Sequence, residues 1–297
     1  MSSAQIASRA IKELDPEDIK VLHGLEKTIT RFESIPLQIL KKLTGLDEGK
    51  LVFRLGRLNA FGFVMKSQFG YTLVSAGLDA LALRFFVERG LISGMGRSIG
   101  MGKESDVYEV ISDAGTRSVI KFYRIGRISF RAIRAKRSYS KPETHHQWLQ
   151  INIEAARKEQ EGLERALAAE VTTPQFIARN RHAVLMSEVE GMMLHECRKG
   201  EIEDPKLLMK DILENARKAY VKAKMINGDL SEYNILFDGE KPWIIDWPQY
   251  VNLDHPNALE ILARDVENTT DYFQRKFGIE TDLTKAVEYV KGEKTKI

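Results

Sequence analysis

The segment Asn227-Gly228-Asp229-Leu230-Ser231-Glu232-Tyr233-Asn234-Ile235-Leu236, followed by Ile244-Ile245-Asp246-Trp247, ties this chain to one kind of chemistry. An Asp is followed five residues on by an Asn, and a second Asp ends a short apolar run. Between Asn234 and Asp246, the Ile235-Leu236-Phe237 strand, the turn 238–242 and the run Trp243-Ile244-Ile245 read as a hairpin. This order suits phosphoryl transfer: one carboxylate sits beside an attacking hydroxyl, while an amide oxygen and a second carboxylate hold Mg²⁺ against nucleotide phosphates. Mg²⁺ keeps several waters, so one Asn and one Asp are a sufficient protein contribution. An Asp–Asn pair alone would be an ordinary turn; the hairpin and the second Asp set it apart.

With 297 residues, the chain has room for one large domain or two modest ones. A net charge of +3 is too small to argue for nucleic acid by itself. Cys197 is the only cysteine, which excludes an intrachain disulfide and a cysteine-based zinc cluster and fits a reducing cytoplasm. The start, Met1-Ser2-Ser3-Ala4-Gln5-Ile6, has no basic-then-apolar leader pattern, and no apolar run approaches the roughly 20 residues a membrane span needs. The expectation is a cytoplasmic protein with no membrane partner.

Residues 1–90 read as a compact, mainly helical domain. Asp15-Pro16 opens a helix running to about Arg31, Pro36 starts a second that stops at Gly45, and a third follows Asp47 and ends near Gly62. Two short strands over 63–73 and a last helix ending at Gly90 complete a winged helix, a helix-turn-helix variant. Lys50, Arg54 and Arg57 share one face of the third helix, either a phosphate-meeting face or a solvated basic one.

From 91 the composition changes. Gly94, Gly96, Gly100 and Gly102 lead into an alternating strand at 106–111, and 118–123 is a second strand. Residues 124–148 are dense in Arg and Lys, carry Ser129, Ser138, Tyr139, Ser140, Thr144 and His145-His146, and read as a mobile loop. A helix from about 152 to 169 and a strand at 183–186 follow.

Gly100-Met101-Gly102-Lys103-Glu104-Ser105 lies between strands, where glycines let backbone approach phosphates, and Lys103 and Ser105 can contact phosphate oxygens. It is not a loop that opens a helix, because strand follows. Lys121, inside the apolar run Val119-Ile120-Lys121-Phe122, needs an anionic partner if buried, and Glu159 on the later helix is the candidate. Glycine loop, strand lysine, helix glutamate, apolar hinge strand, Asp…Asn and a second Asp come in the chain order of a protein-kinase core.

On these motifs, together with Ile120–Arg127, Asn180–Met186, Asp246-Trp247-Pro248-Gln249-Tyr250-Val251, His255-Pro256-Asn257-Ala258, Arg264-Asp265-Val266 and Tyr272-Phe273, the chain resembles the RIO family of atypical Ser/Thr protein kinases, in the subfamily with an N-terminal winged helix. The resemblance covers residues 10–280. It implies an α+β chain: a winged helix over 1–90, then a trimmed bilobal kinase-like domain over 91–297, with an N-lobe and hinge over 91–189 and a reduced C-lobe over 190–297. It further implies Asp229 as the catalytic-loop Asp and Asn234 and Asp246 as ligands of Mg²⁺ (Mn²⁺ being an alternative). Lys121 would pair with Glu159 and contact ATP phosphates, with Gly100, Gly102, Lys103 and Ser105 around them and the backbone from Met186 to Val189 against adenine.

Departures from ordinary kinases are informative. Asn227-Gly228-Asp229 replaces His-Arg-Asp, so no arginine is present to clamp a phosphorylated loop; the family more often has His at 227, which puts local support of the loop in question. Asp246-Trp247-Pro248 replaces Asp-Phe-Gly, and only about 50 residues follow, too few for the usual peptide-binding helices. The family role is maturation of the small ribosomal subunit, with ribosomal RNA and proteins as partners, by protein phosphorylation or by ATP hydrolysis. The basic loop 124–148 would contact RNA or accept phosphate in cis. The alternatives are a winged-helix nucleic-acid-binding regulator with a nucleotide-sensing kinase-like domain and a small-molecule phosphotransferase. The complete catalytic set argues against the first, and the winged helix and glycine loop against the second.

Overall fold

The computed structural model describes residues 1–29, 31–126 and 145–296, the side chains of 145–147 excepted. The phospho-acceptor candidates Ser129, Ser138, Tyr139, Ser140 and Thr144 lie outside the described residues. Two compact units are present, 1–154 with 178–185, and 155–177 with 186–297.

In the first unit, α1 (Ser3–Ala10) precedes α2 (Pro16–Thr28), α3 (Leu37–Thr44), α4 (Glu48–Ala60), the ribbon β1 (Val64–Ser67) and β2 (Gly70–Leu73), and α5 (Ser75–Glu88). Local chemistry sets these limits. Asp15 caps α2 through the Glu17 and Asp18 amides with Pro16 in the first turn, and Gly45 ends α3 in the left-handed conformation. The winged helix expected from sequence is therefore present. The sequence reading missed α1, which is closed by a reciprocal Ser2–Gln5 capping box and packs on α5.

Arg54 and Arg57 do not form a free basic face. Arg54 pairs with Asp15, with Glu17 at 2.7 Å and with the buried Asp18 at 3.6 Å; Arg57 pairs with Asp18 at 2.8 Å and Asp15 at 3.2 Å. The acidic first turn of α2 has drawn both guanidinium groups inward, leaving Lys50 as the exposed cation of the three.

After α5 come β3 (Gly94–Met101), β4 (Ser105–Ile111), β5 (Arg117–Tyr123), α6 (His145–Ala168), β6 (Phe176–Asn180) and β7 (Ala183–Ser187), giving a five-stranded sheet in the order β3-β4-β5-β7-β6. The glycine-punctuated run 94–101 is thus a strand, and α6 begins at His145 rather than near 152, so His145 and His146 belong to a helix. Period-two alternation in β5 sends Ile120 and Phe122 to one face and Lys121 to the other. Ile120, Phe122, Tyr108, Val110, Ala183 and Leu185 join the apolar residues of α1, α2, α4 and α5 in one continuous core. Each large apolar side chain buried there contributes about 1.5–3 kcal/mol.

The second unit holds the rest of α6 with β8 (Met192–Met193), α7 (Pro205–Val221), β9 (Met225–Ile226), β10 (Ile235–Phe237), β11 (Pro242–Ile244), β12 (Val251–Asn252), α8 (Ala258–Phe277) and α9 (Leu283–Lys291). The hairpin expected between Asn234 and Asp246 is β10–β11, in register Ile235 with Ile244 and Phe237 with Pro242. Asp238 holds its turn, accepting from the Glu240 and Lys241 amides and from Trp243 Nε1. Among the described residues no helix is long and apolar enough to cross a membrane.

Candidate active site

The loop after β9 is tied down from two sides. Asn227, buried, donates from Nδ2 to the Asp246 carbonyl at 2.7 Å and accepts the Asp229 amide at 3.1 Å. One side chain thus links Asp229 to Asp246, two residues past β11. The support left in question by the absence of His at 227 is supplied by Asn227 itself.

From the other side, three α8 residues hold 228–230. Asp265 accepts from the Gly228 amide at 2.7 Å and the Leu230 amide at 3.4 Å, Arg264 donates to the Gly228 carbonyl at 2.5 Å, and Asn268 donates to the Leu230 carbonyl at 3.3 Å. Gly228 sits at φ +83°, and a Cβ there would lie 2.5 Å from the Gln249 carbonyl oxygen. Only glycine meets both conditions. Burial raises the Asp265 carboxyl to about 7, against the pull of the Gly228 amide and Arg264. Asn227 and Asp265 were not assigned these roles from sequence; the i, i+1, i+4 placement of Arg264, Asp265 and Asn268 on a helix was the available signal.

Asn234 donates from Nδ2 to both the carbonyl and Oδ2 of Asp229, each at 2.8 Å. With its NH₂ so engaged, the amide oxygen is the end turned away from Asp229. The Asp229 side chain reaches solvent, yet partial desolvation raises its carboxyl, the Asn234 amide opposing and the Asp246 charge adding to the rise. An amide oxygen and a carboxylate, both hard donors, fit Mg²⁺ held largely by water and phosphate. Among the described residues no three His, Cys, Asp or Glu side chains form a cage of their own.

Glu159 is fully buried in α6 and accepts the Trp247 amide at 2.7 Å, directly after Asp246. Trp247 donates from Nε1 to Thr173 at 3.0 Å and packs where Gly162 leaves room, a Cβ at 162 falling 2.5 Å from Trp247 Cβ. The Trp that replaces Phe is thus built into the frame beneath Asp246. Met186, buried, and Val189 follow each other across the end of β7, where Gln175 and Ser187 exchange hydrogen bonds at 2.8 and 2.9 Å.

In the first unit, Lys121 is buried in β5 opposite Val107 of β4, its Nζ 5.1 Å from the Tyr123 ring centroid. The turn 102–104 joins β3 to β4, closed by Gly102 N–H to the Ser105 carbonyl at 2.9 Å. Gly100 pairs with Val107, and Cβ atoms built at Gly100 or Gly102 meet nothing closer than 3.7 Å, so neither glycine is required by packing within the protein. Lys103 is exposed and Ser105 half-buried beside it.

Residues 106–286 match the RIO domain family and residues 11–89 the Rio2 N-terminal family. The chain is 38% identical over 266 residues to the RIO-type serine/threonine-protein kinase Rio2 of Methanocaldococcus jannaschii, covering 87% of this chain and 98% of the relative. It is 33% identical to serine/threonine-protein kinase RIO2 of Caenorhabditis elegans over 92% of this chain, but spans only 52% of that longer protein. A solved structure of the Rio2 kinase–ADP/Mg²⁺–phosphoaspartate complex from Chaetomium thermophilum superposes with a TM-score of 0.82 at 31% identity, over 96% of this chain and 89% of the other. The chain belongs to the RIO family of serine/threonine-protein kinases, in its Rio2 branch.

Proposed function

We propose that the protein binds ATP with Mg²⁺ and transfers its γ-phosphoryl group, to a protein hydroxyl or to water, during maturation of the small ribosomal subunit. The observation that carries this reading is the locking of Asp229, Asn234 and Asp246 to one another through Asn227 and the Asn234 amide. A fixed constellation costs no reorganisation when charge moves.

In this reading Asp229 orients the attacking hydroxyl and takes its proton as the new P–O bond forms and ADP departs; its raised affinity for a proton suits that task. Asn234 and Asp246 hold Mg²⁺, which when bound draws off charge from the phosphates. Lys121, with Glu159 as its counter-charge, and the loop residues Gly100, Gly102, Lys103 and Ser105 contact the phosphates, and the backbone of 186–189 receives adenine. Carboxylate attack on the γ-phosphorus, giving an aspartyl phosphate that water then cleaves, is the hydrolytic variant, and the fungal relative's phosphoaspartate complex supports it. Capture of Arg54 and Arg57 by the acidic turn of α2 weakens the alternative of a winged-helix nucleic-acid regulator.

The test is ATP turnover with and without purified small-subunit precursor, comparing wild type with Asp229→Ala and Asp246→Ala. Each substitution is expected to lower turnover at least about a hundredfold. Turnover unchanged in both would remove the catalytic assignment, and indifference of the wild type to the precursor would remove the ribosomal one.

A further inference from the structure

The winged helix and the five-stranded sheet are joined by a buried charged chain that ends at the phosphate loop. Asp79 of α5 is fully buried. It accepts from Arg124 Nη2 at 2.7 Å and from His182 Nε2 at 2.7 Å. Arg124, also buried, donates from Nε to Asp106 at 3.1 Å, and Asp106 follows Ser105 at the start of β4. The Arg124 backbone amide donates to the Glu104 carbonyl at 2.5 Å, inside the turn 102–104. The next residue, Ile125, is held by both ends of the Asn152 amide, at 2.7 and 3.2 Å, so the backbone is fixed on both sides of the Arg124 side chain.

Every charge in this chain is compensated. Asp79 stays ionised although burial works against it, because Arg124 and then His182 face it; burial keeps His182 neutral, with its proton on Nε2, where Asp79 accepts it. A guanidinium fork that reaches two carboxylates at once transmits position, since neither partner can move without breaking a bond in low dielectric.

We propose that Asp79 and Arg124 are positioning residues for the phosphate loop, so that α5 of the winged helix helps set the affinity for ATP. This rests on the reading of 100–105 as the phosphate-contacting segment. By linkage, a partner that displaces α5 changes ATP affinity, and ATP changes that partner's affinity by the same factor.

A second tie between the same parts supplies the control. Glu26 of α2 accepts from Arg181, in the β6–β7 turn, at 2.7 Å, and no residue of 100–105 takes part. In the full-length protein, Asp79→Asn is expected to raise the KM for ATP and the Kd for ADP about tenfold while kcat at saturating ATP stays within about twofold. Arg124→Lys, which keeps the charge but loses the fork, is expected to behave alike. Glu26→Gln should lower the Tm of the nucleotide-free protein and leave both nucleotide constants unchanged. If Asp79→Asn does not give folded protein, Asp106→Asn breaks the chain at its loop end and is read in the same way. An unchanged KM in the folded variant, or an equal rise in Glu26→Gln, would overturn the proposal. If the wild type binds no ADP, the phosphate-loop reading itself has failed.

Discussion

At the scale of single residues, Asp265 is where the site's architecture conflicts with electrostatics. Its two oxygens are needed as acceptors for the amides on either side of Asp229, yet burial pushes its carboxyl up to about 7. The folded state therefore holds this proton more tightly than the unfolded chain, whose Asp titrates near 4. Stability from this group is fully present below about pH 4 and is lost as pH rises through 7. Asp265→Asn removes the titration while keeping one acceptor oxygen. Urea unfolding of both proteins at pH 5 and pH 8 should show the wild type losing on the order of 2 kcal/mol relative to the variant across that interval. A stability difference that does not change with pH would mean that Asp265 titrates outside it. Despite any stability gained at pH 8, the variant should turn over ATP more slowly, because an amide NH₂ cannot accept the second loop amide.

At the scale of elements, the sequence revealed whatever depends on neighbouring residues. Asp15-Pro16 and Pro36…Gly45 delimit helices because caps and glycine stops act within one turn, and the β10–β11 hairpin was visible from its turn residues. β3 was passed over because glycines are poor strand formers in isolation, and only pairing with β4 makes that run a strand. The destination of Arg54 and Arg57 was also hidden: their spacing along α4 gives a shared face, whereas what covers that face lies about 40 residues upstream, at Asp15, Glu17 and Asp18. The pairing predicts a stability role. Replacing both with methionine, which retains their packing volume, leaves the fully buried Asp18 without its guanidinium partners. It should cost about 2 kcal/mol, between the values for surface and buried pairs. The urea midpoint reads this directly; an unshifted midpoint accompanied by lost RNA binding would restore the free basic face.

At the scale of the whole molecule, the site residues came from a chain order that sequence displays, whereas what supports them did not. Asp79 and Arg124 are 45 residues apart, Gly228 and Asp265 are 37 apart, and nothing in their local sequence shows that they meet. The same holds for the core. The composition change near residue 91 suggests a place to cut, but Ile120, Phe122 and Tyr108 of the sheet share one apolar core with Leu22, Leu58 and Phe86 of the winged helix. Cutting there would expose these faces to water, at about 25 cal/mol for each Å² uncovered, and would leave Arg124 buried beside Asp106 alone. A fragment beginning at 91 is therefore expected to lose the folded sheet and not merely a docking module. Circular dichroism and thermal unfolding should show the fragment without the transition of the sheet, while the full chain melts the winged helix and the sheet together. A fragment that melts cooperatively and still binds ADP with wild-type affinity would mean that the sheet holds its phosphate loop without help from α5.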